Sequence, residues 1–267
     1  MSGPNKVRAV AEAPSYVILG RGRWANRIHT ILAGEGRRSV FVEGTRRNPS
    51  ESESDFKTRL TARITESAAQ IAWLCTSPGP HVAVMAEAAI TAGLHVIVEK
   101  PWLLPRSETE PLARLATSRR VLAGVHYQYC VLDRIEKWRA EFDQGAGLIF
   151  NGHFCVDRLD RLNVPAIDNL GCHLFAIRQY AVPKSVPGEI CCAYEQPDAR
   201  RVWTANGGKT IASIDFLGSS EPIIQRYIAA FEAALGGAWF PFDLDFAAST
   251  AEALASWKQW DPASRNL

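Results

Sequence analysis

Apolar and polar positions alternate in two different ways along the first half of the chain. Short apolar runs indicate buried strands, and they lie at 16–19, 39–44, 71–75 and 95–98. The segment 80–92 instead carries apolar residues at helical spacing and ends before Gly93. Because strands that alternate with helices over short loops form parallel sheets with right-handed crossovers, this half is predicted to be a doubly wound parallel sheet.

The pattern changes near residue 124. The segments "GLIFNGHFCVD" and "EICCAYEQ" indicate strands, and Asn206-Gly207-Gly208 between two alternating runs indicates a hairpin. Two amphipathic helices, at 223–235 and 246–260, follow. The sequence therefore predicts an α/β fold class, with a doubly wound parallel-sheet domain over 15–124 and a smaller α+β domain over 125–267. The second domain is expected to have a mainly antiparallel open sheet of roughly four strands, with the final helix packing back on the first domain.

Composition narrows the function classes. The chain has 267 residues, 47% of them hydrophobic, and 30 basic against 28 acidic residues spread along its length. This balance predicts a globular protein with no nucleic-acid partner. No apolar run reaches the roughly 18–20 residues of a membrane span, so no membrane contact and a cytoplasmic location are expected. The six cysteines show neither a C-x-x-C pair nor a zinc-ligand spacing, so no metal is predicted.

A glycine-rich turn follows the first strand and opens a helix. Its residues match G-x-G-x-x-G/A, a spacing that lets backbone N–H groups and the helix dipole hold a pyrophosphate. The alternative is a tight strand-to-helix turn without a ligand. In this context the turn predicts a Rossmann dinucleotide site with cofactor contacts at Gly20, Gly22, Arg23, Trp24 and Ala25.

The end of the second strand bears on the choice of cofactor. Glu43 stands near the position where NAD sites place a carboxylate for the ribose hydroxyls. Thr45, Arg46 and Arg47 follow it, and guanidinium groups suit a 2′-phosphate. The sequence predicts NADP. If the two arginines are only solvated loop charges, Glu43 makes NAD the cofactor instead.

The stretch "LCTSPGPHVAVMAEAAITAGLHVIVEKPW" resembles the signature of the Gfo/Idh/MocA oxidoreductases. The resemblance extends over about residues 15–260 and is strongest up to residue 101. It implies hydride transfer between nicotinamide and a hydroxyl or oxo carbon of a small-molecule substrate of the sugar, nucleotide-sugar or cyclitol class. It also implies a homo-oligomer formed through the C-terminal sheet.

The same resemblance assigns the residues after the third and fourth strands. Lys100 is implied to be catalytic, with its ammonium directed at the substrate oxygen. Glu99 would hold the cofactor end or orient Lys100, and Pro101 would fix the turn through a cis bond. Thr76, Ser77 and His81 are the remaining expected cofactor residues.

The family's D-x-G-x-H element appears here with Asn169 in place of the aspartate and with His173 in the histidine position. The resemblance implies that His173 exchanges the proton, while Asn169 can only form hydrogen bonds. Asp168 precedes Asn169 and would face about 100° away on a helix, so it would contact substrate only if the register shifts. Tyr127 is a further candidate for the substrate pocket, with packing as its alternative.

Two other functions stay open. The first is an NADPH-dependent imine reductase of secondary metabolism, because a protonated C=N group needs less acid catalysis than a carbonyl and Asn169 cannot supply a proton. The second is a nucleotide-binding relative without catalysis. Retention of Lys100 and His173 favours an enzyme.

Overall fold

Five parallel strands form the first sheet. A computed structural model describes residues 13–142, 146–157, 164–207, 210–216 and 222–260. The strands are β1 (Tyr16–Leu19), β2 (Ser39–Val42), β3 (Ile71–Leu74), β4 (His95–Val98) and β5 (Ala123–Val125), in the spatial order β2-β1-β3-β4-β5. Every residue of β1 and β3 is buried, as expected for a parallel sheet covered on both faces. The predicted doubly wound sheet is confirmed.

Four helices connect these strands. They are α1 (Arg23–Gly34), α2 (Glu53–Glu66), α3 (His81–Thr91) and α4 (Arg106–Arg119). At the start of α2, the Ser52 hydroxyl accepts a hydrogen bond from the Asp55 N–H at 3.1 Å. Because each crossover returns the chain to the same end of the sheet, the carboxyl ends of the strands share one edge.

The second sheet is mixed. After a short 3-10 helix (Gln128–Val131), its half of the chain contains α5 (Asp133–Glu141), β6 (Ile149–Cys155), α6 (Ala166–Ala181), β7 (Val186–Ala193), β8 (Arg200–Asn206), β9 (Thr210–Asp215), α7 (Ile223–Leu235) and α8 (Leu244–Trp260). The strand order is β7-β6-β8-β9. Strand β6 pairs parallel to β7 and antiparallel to β8, which pairs antiparallel to β9. This confirms the mainly antiparallel sheet. The predicted hairpin joins β8 to β9, although Gly208 lies outside the described residues.

One face of the second sheet is covered and the other is open. Phe154 and Trp203 are buried on the covered face, where Phe154 meets His173 of α6. On the open face, Ile149 is 46% exposed and Val186 is 59% exposed. Assembly through this face remains a prediction.

The last described segment contacts both halves of the chain. Just before α8, Asp243 forms an antiparallel bridge with Gly124 of β5. Within α8, Glu252 accepts a 2.8 Å hydrogen bond from Arg106 of α4, and Lys258 donates one of the same length to Asp168 of α6. Helix α8 therefore packs on both halves of the chain, and the domain boundary near residue 124 stays a prediction. Among the described residues, no helix is long and apolar enough to cross a bilayer.

Candidate active site

The candidate cofactor residues follow four neighbouring strands at one edge of the first sheet. Residues 20–25 follow β1, residues 43–47 follow β2, residues 76–81 follow β3 and residues 99–101 follow β4. All of these strands are parallel, so the segments lie at the carboxyl edge, where open α/β sheets bind ligands.

The glycine turn is built for close approach. Gly20 has a φ of +124°, and a Cβ added there would lie 2.4 Å from the carbonyl oxygen of Cys75, so glycine is required. Gly22 is the N-cap residue just before α1, and a Cβ there would meet nothing within 4 Å. The first turn of a helix leaves N–H groups without helical partners, and the open approach at Gly22 makes them accessible to a phosphate. The turn therefore fits the pyrophosphate of a dinucleotide.

The loop after β2 carries both signs of charge. Arg21 Nη2 lies 2.8 Å from Glu43 Oε1, and both side chains are largely exposed. Arg46 and Arg47 are exposed too, whereas Thr45 is half-buried. Pairing with Arg21 reduces the repulsion that the Glu43 carboxylate would exert on a 2′-phosphate.

The loop after β3 offers one polar atom of special interest. Within the described part of the chain, the Thr76 hydroxyl is buried and has no hydrogen-bond partner. A buried polar group without a partner is costly unless a ligand satisfies it. Ser77 is exposed beside it, and His81 is exposed at the first residue of α3. This orphaned hydroxyl supports the fit of a cofactor at the edge.

Glu99 forms hydrogen bonds with side chains beneath the carboxyl edge of the first sheet. Its Oε1 accepts a 2.8 Å hydrogen bond from Trp73 Nε1 and lies 3.0 Å from His126 Nδ1. Burial acts to raise the pKa of Glu99, but the facing His126 and the hydrogen bonds outweigh it and hold that pKa below its usual range. Trp24 lies close by, with its ring 6.3 Å from that of His126. These bonds join the ends of β3, β4 and β5, and they direct the Glu99 carboxylate into the core.

Lys100 links the two halves of the molecule. The Lys100-Pro101 peptide is cis, as the sequence predicts. Lys100 Nζ lies 2.9 Å from Asn169 Oδ1 and 3.2 Å from the Asn169 carbonyl oxygen on α6. The amine of Lys100, at the carboxyl edge of the first sheet, thus contacts the start of α6, which carries the candidate residues Asn169 and His173.

A tyrosine fixes the orientation of Asn169. Asn169 Nδ2 donates to the Tyr194 hydroxyl at 2.6 Å, and that hydroxyl donates to the carbonyl oxygen of Val164 at 3.3 Å. The amide nitrogen therefore faces Tyr194, and Oδ1 faces Lys100. Sequence reasoning missed Tyr194, because it follows β7 without any local motif.

His173 lies one helical turn beyond Asn169 and therefore shares its face of α6. It is 4% exposed, and its ring packs edge-on against Tyr129 at 4.7 Å and near Phe154 at 6.1 Å. The structure thus places the predicted proton-exchanging histidine among aromatic rings beside Asn169.

The two predicted substrate residues are directed elsewhere. Asp168 faces away from Asn169, as the helical offset requires, and its carboxylate accepts hydrogen bonds from Lys258 at 2.8 and 3.0 Å. Tyr127 is 1% exposed and packs against Phe246 of α8 at 5.8 Å, so it presents no accessible surface to a substrate. Tyr127 therefore lies as a packing residue, which is the alternative that the sequence left open for it. Within the described ranges, no three His, Cys, Asp or Glu residues cluster as metal ligands.

Solved structures of similar shape share the fold. A UDP-N-acetylglucosamine 3-dehydrogenase from Acidithiobacillus ferrooxidans aligns over 94% of this chain and 98% of its own, with a TM-score of 0.75 and 14% identity. An inositol dehydrogenase homologue from Azotobacter vinelandii in complex with NAD+ aligns over 95% and 96%, with a TM-score of 0.67 and 15% identity. A biliverdin reductase from Synechocystis in complex with biliverdin and NADP+ aligns over 92% and 98%, with a TM-score of 0.63 and 15% identity.

Sequence comparison finds a match for the first half of the chain. No curated protein is a significant sequence match to this chain. Residues 15–127 match the profile described as an oxidoreductase family with an NAD-binding Rossmann fold. This segment contains the glycine turn, the loop after β2 (residues 43–47, the predicted ribose loop) and the Glu-Lys-Pro end of β4. Residues 15–127 of this chain are therefore similar to the Gfo/Idh/MocA oxidoreductases.

Proposed function

We propose that this oxidoreductase transfers a hydride between NADP and a hydroxyl or oxo carbon of a small polar substrate of the sugar, nucleotide-sugar or cyclitol class. The observation that carries the proposal is the contact of Lys100 with Asn169. This contact supports the proposal because it holds the amine at the carboxyl edge of the first sheet, facing the second half of the chain. The similarity in fold to a nucleotide-sugar dehydrogenase and an inositol dehydrogenase homologue supports the substrate class.

The chain's own residues supply the polar chemistry. When bound, the nicotinamide takes or gives the hydride. The Lys100 ammonium donates a hydrogen bond to the reacting substrate oxygen and stabilises the negative charge that develops there. His173 accepts the hydroxyl proton during oxidation and returns it during reduction. Asn169 holds Lys100 in place and has no proton to exchange, so proton transfer falls to His173 and Lys100.

The proposal of NADP as cofactor rests on the loop after β2. Arg46 and Arg47 supply positive charge for a 2′-phosphate, and Thr45 supplies a hydroxyl. The pairing of Glu43 with Arg21 offsets the nearby carboxylate. NAD remains the alternative, since the matched family profile is described as NAD-binding.

Calorimetric titration with NADPH and NADH tests the cofactor. We expect the wild type to bind NADPH more tightly, and Arg46→Ala to lose that preference. Arg38→Ala is the matched control, because this exposed arginine precedes β2 and so lies at the opposite edge of the sheet. Equal affinities in the wild type would reverse the NADP proposal, and binding of neither nucleotide would remove the enzymatic one.

Turnover distinguishes the candidate reactions. Absorbance at the reduced-nicotinamide band is followed with nucleotide sugars, sugars and cyclitols in one panel and with cyclic imines in another. The imine alternative is favoured by one observation, that a neutral amide rather than a carboxylate contacts Lys100. Reduction of imines alone would establish that alternative, and nucleotide binding without turnover in either panel would indicate a non-catalytic relative.

A further inference from the structure

We propose that Arg59, on α2, is a positioning residue for cofactor selectivity. It holds the loop 44–47 in the shape that presents Thr45, Arg46 and Arg47 to the 2′-phosphate of NADP. This inference rests on the proposed cofactor. It assigns a role to a residue that does not itself reach the ligand.

The Arg59 guanidinium donates hydrogen bonds both to the Glu51 carboxylate and to backbone carbonyls of the loop. Nε and Nη2 donate to the two carboxylate oxygens of Glu51 at 2.7 and 2.8 Å, the bidentate arrangement that gives arginine pairs both strength and direction. Nη1 donates to the carbonyl oxygen of Gly44 at 2.7 Å, and Nη2 also donates to that of Arg46 at 3.1 Å. The two loop carbonyls that flank Thr45 are therefore fixed by one planar group.

The loop is shaped to accept this group. Gly44 has a φ of +70°, which disfavours any other residue, and a Cβ there would lie 2.6 Å from Arg59 Nη1, so a side chain would also displace the guanidinium. At the far end, Glu51 Oε2 accepts the N–H of Asn48 at 3.1 Å, and the Glu51 N–H donates to the Asn48 carbonyl oxygen at 3.0 Å. Glu51 therefore bonds to Asn48 at the end of the segment, and its partner Arg59 bonds to Gly44 at the start of the segment.

Such a loop is ordered before the cofactor arrives. A flexible loop of exposed arginines would lose conformational entropy when it closed on a phosphate, and this loss would weaken binding. Here folding has already fixed the two carbonyls, so the side chains between and after them are preorganised. Since the Arg59 donors are directed at Glu51 and the loop carbonyls, its effect on the ligand acts through loop shape and not through direct contact.

Selectivity follows from this geometry. NADPH contacts the loop through its 2′-phosphate, which NADH lacks, so distortion of the loop weakens NADPH much more than NADH. Lysine cannot replace Arg59, because its single ammonium cannot bind Glu51 in bidentate fashion while reaching both carbonyls. A purely electrostatic role, in contrast, would be retained by lysine.

The experiment measures affinities for NADPH and NADH by calorimetry in the wild type, Arg59→Lys and Arg59→Gln. Arg63→Gln, one turn further along α2 and exposed, is the matched control. Thermal unfolding of each variant checks that it is folded. We expect both Arg59 variants to bind NADPH about tenfold more weakly and NADH within about threefold of the wild type. The Arg63 variant is expected to match the wild type.

Each result separates the two proposals. If the wild type shows no preference for NADPH, the cofactor proposal fails, and this inference fails with it. If the wild type prefers NADPH but Arg59→Lys keeps that preference, Arg59 acts only as a charge and the positioning role is overturned. Equal losses for NADPH and NADH would also overturn it, since they indicate a general structural defect. Should Arg59→Gln not fold, the milder Arg59→Lys still decides between these results.

Discussion

The first sheet and the second sheet place their functional residues by different means. On the first sheet, each group of candidate cofactor residues directly follows a strand, so chain order alone brings the groups to one edge. On the second, Asn169 meets Lys100 from 69 positions away and Tyr194 from 25 positions away. Local sequence therefore marks the predicted cofactor side of the site, and long-range packing assembles the side that we propose faces the substrate.

The same contrast holds for burial. Strands β1 and β3 are buried on both faces, and their uninterrupted apolar sequence reports this directly. Strand β6 alternates, with buried Phe150 and Phe154 on one face and exposed Ile149 on the other. The alternation of β6 therefore reports a sheet with one covered face.

Removing the amine at the junction of the two sheets is expected to have the largest effect. Lys100→Ala should lower kcat by about a thousandfold, because it removes the group that stabilises charge on the substrate oxygen. Affinity for the nucleotide should stay within about threefold, because the glycine turn and the ribose loop are intact. Steady-state kinetics and calorimetry together measure both. Lys57→Ala, which removes an ion-paired lysine on α2, is the control. Wild-type turnover in the Lys100 variant would contradict the assignment.

A core substitution in the second sheet tests how much that sheet contributes to the free energy of unfolding. Trp203 is fully buried and stacks on Trp138 at 4.8 Å. Trp203→Ala should lower the free energy of unfolding by about 3–5 kcal/mol, because it leaves a large cavity. Urea unfolding measures the loss, and Trp203→Phe should lose less. A change below about 1 kcal/mol would mean that this sheet contributes little to the common core.

Loosening the Asn169 amide should have a moderate effect on turnover. In Tyr194→Phe the Asn169 Nδ2 group loses its 2.6 Å partner, so the amide no longer holds one orientation toward Lys100. We expect kcat to fall by about three- to tenfold, with unchanged affinity for the nucleotide. Tyr180→Phe, which removes a tyrosine hydroxyl bonded to Glu136, is the matched control. If both variants lose kcat equally, Tyr194 has no special role in the site.

The smallest expected effect is on acid stability near the ribose loop. The hydrogen bonds from Arg59 lower the pKa of Glu51 to about 2, although its partial burial opposes this. Because the folded-state pKa is depressed, the pair stabilises the protein above the ordinary glutamate pKa of 4.5, and this contribution is lost as pH falls toward about 2. The difference in melting temperature between the wild type and Glu51→Gln should therefore be constant from about pH 6 to 9 and shrink below about pH 4.5. A difference that stays constant down to about pH 3 would contradict this coupling.

The sequence by itself determined the doubly wound sheet and the similarity of its first half to the Gfo/Idh/MocA oxidoreductases, and it predicted the cofactor edge. These features are encoded locally, because a glycine turn, a Glu-Lys-Pro strand end and helical spacing each occupy a few consecutive residues. The cis Lys100-Pro101 bond and the hairpin between β8 and β9 were predictable for the same reason.

Only the tertiary structure decided which side chains meet. Tyr127 and Asp168 carry suitable chemistry, but packing against Phe246 and pairing with Lys258 direct them away from the site. Tyr194 and Arg59 carry no motif, yet one orients Asn169 and the other shapes the ribose loop. The physical reason is that a side chain's direction depends on the partners that three-dimensional packing brings to it, and those partners lie far away in the sequence.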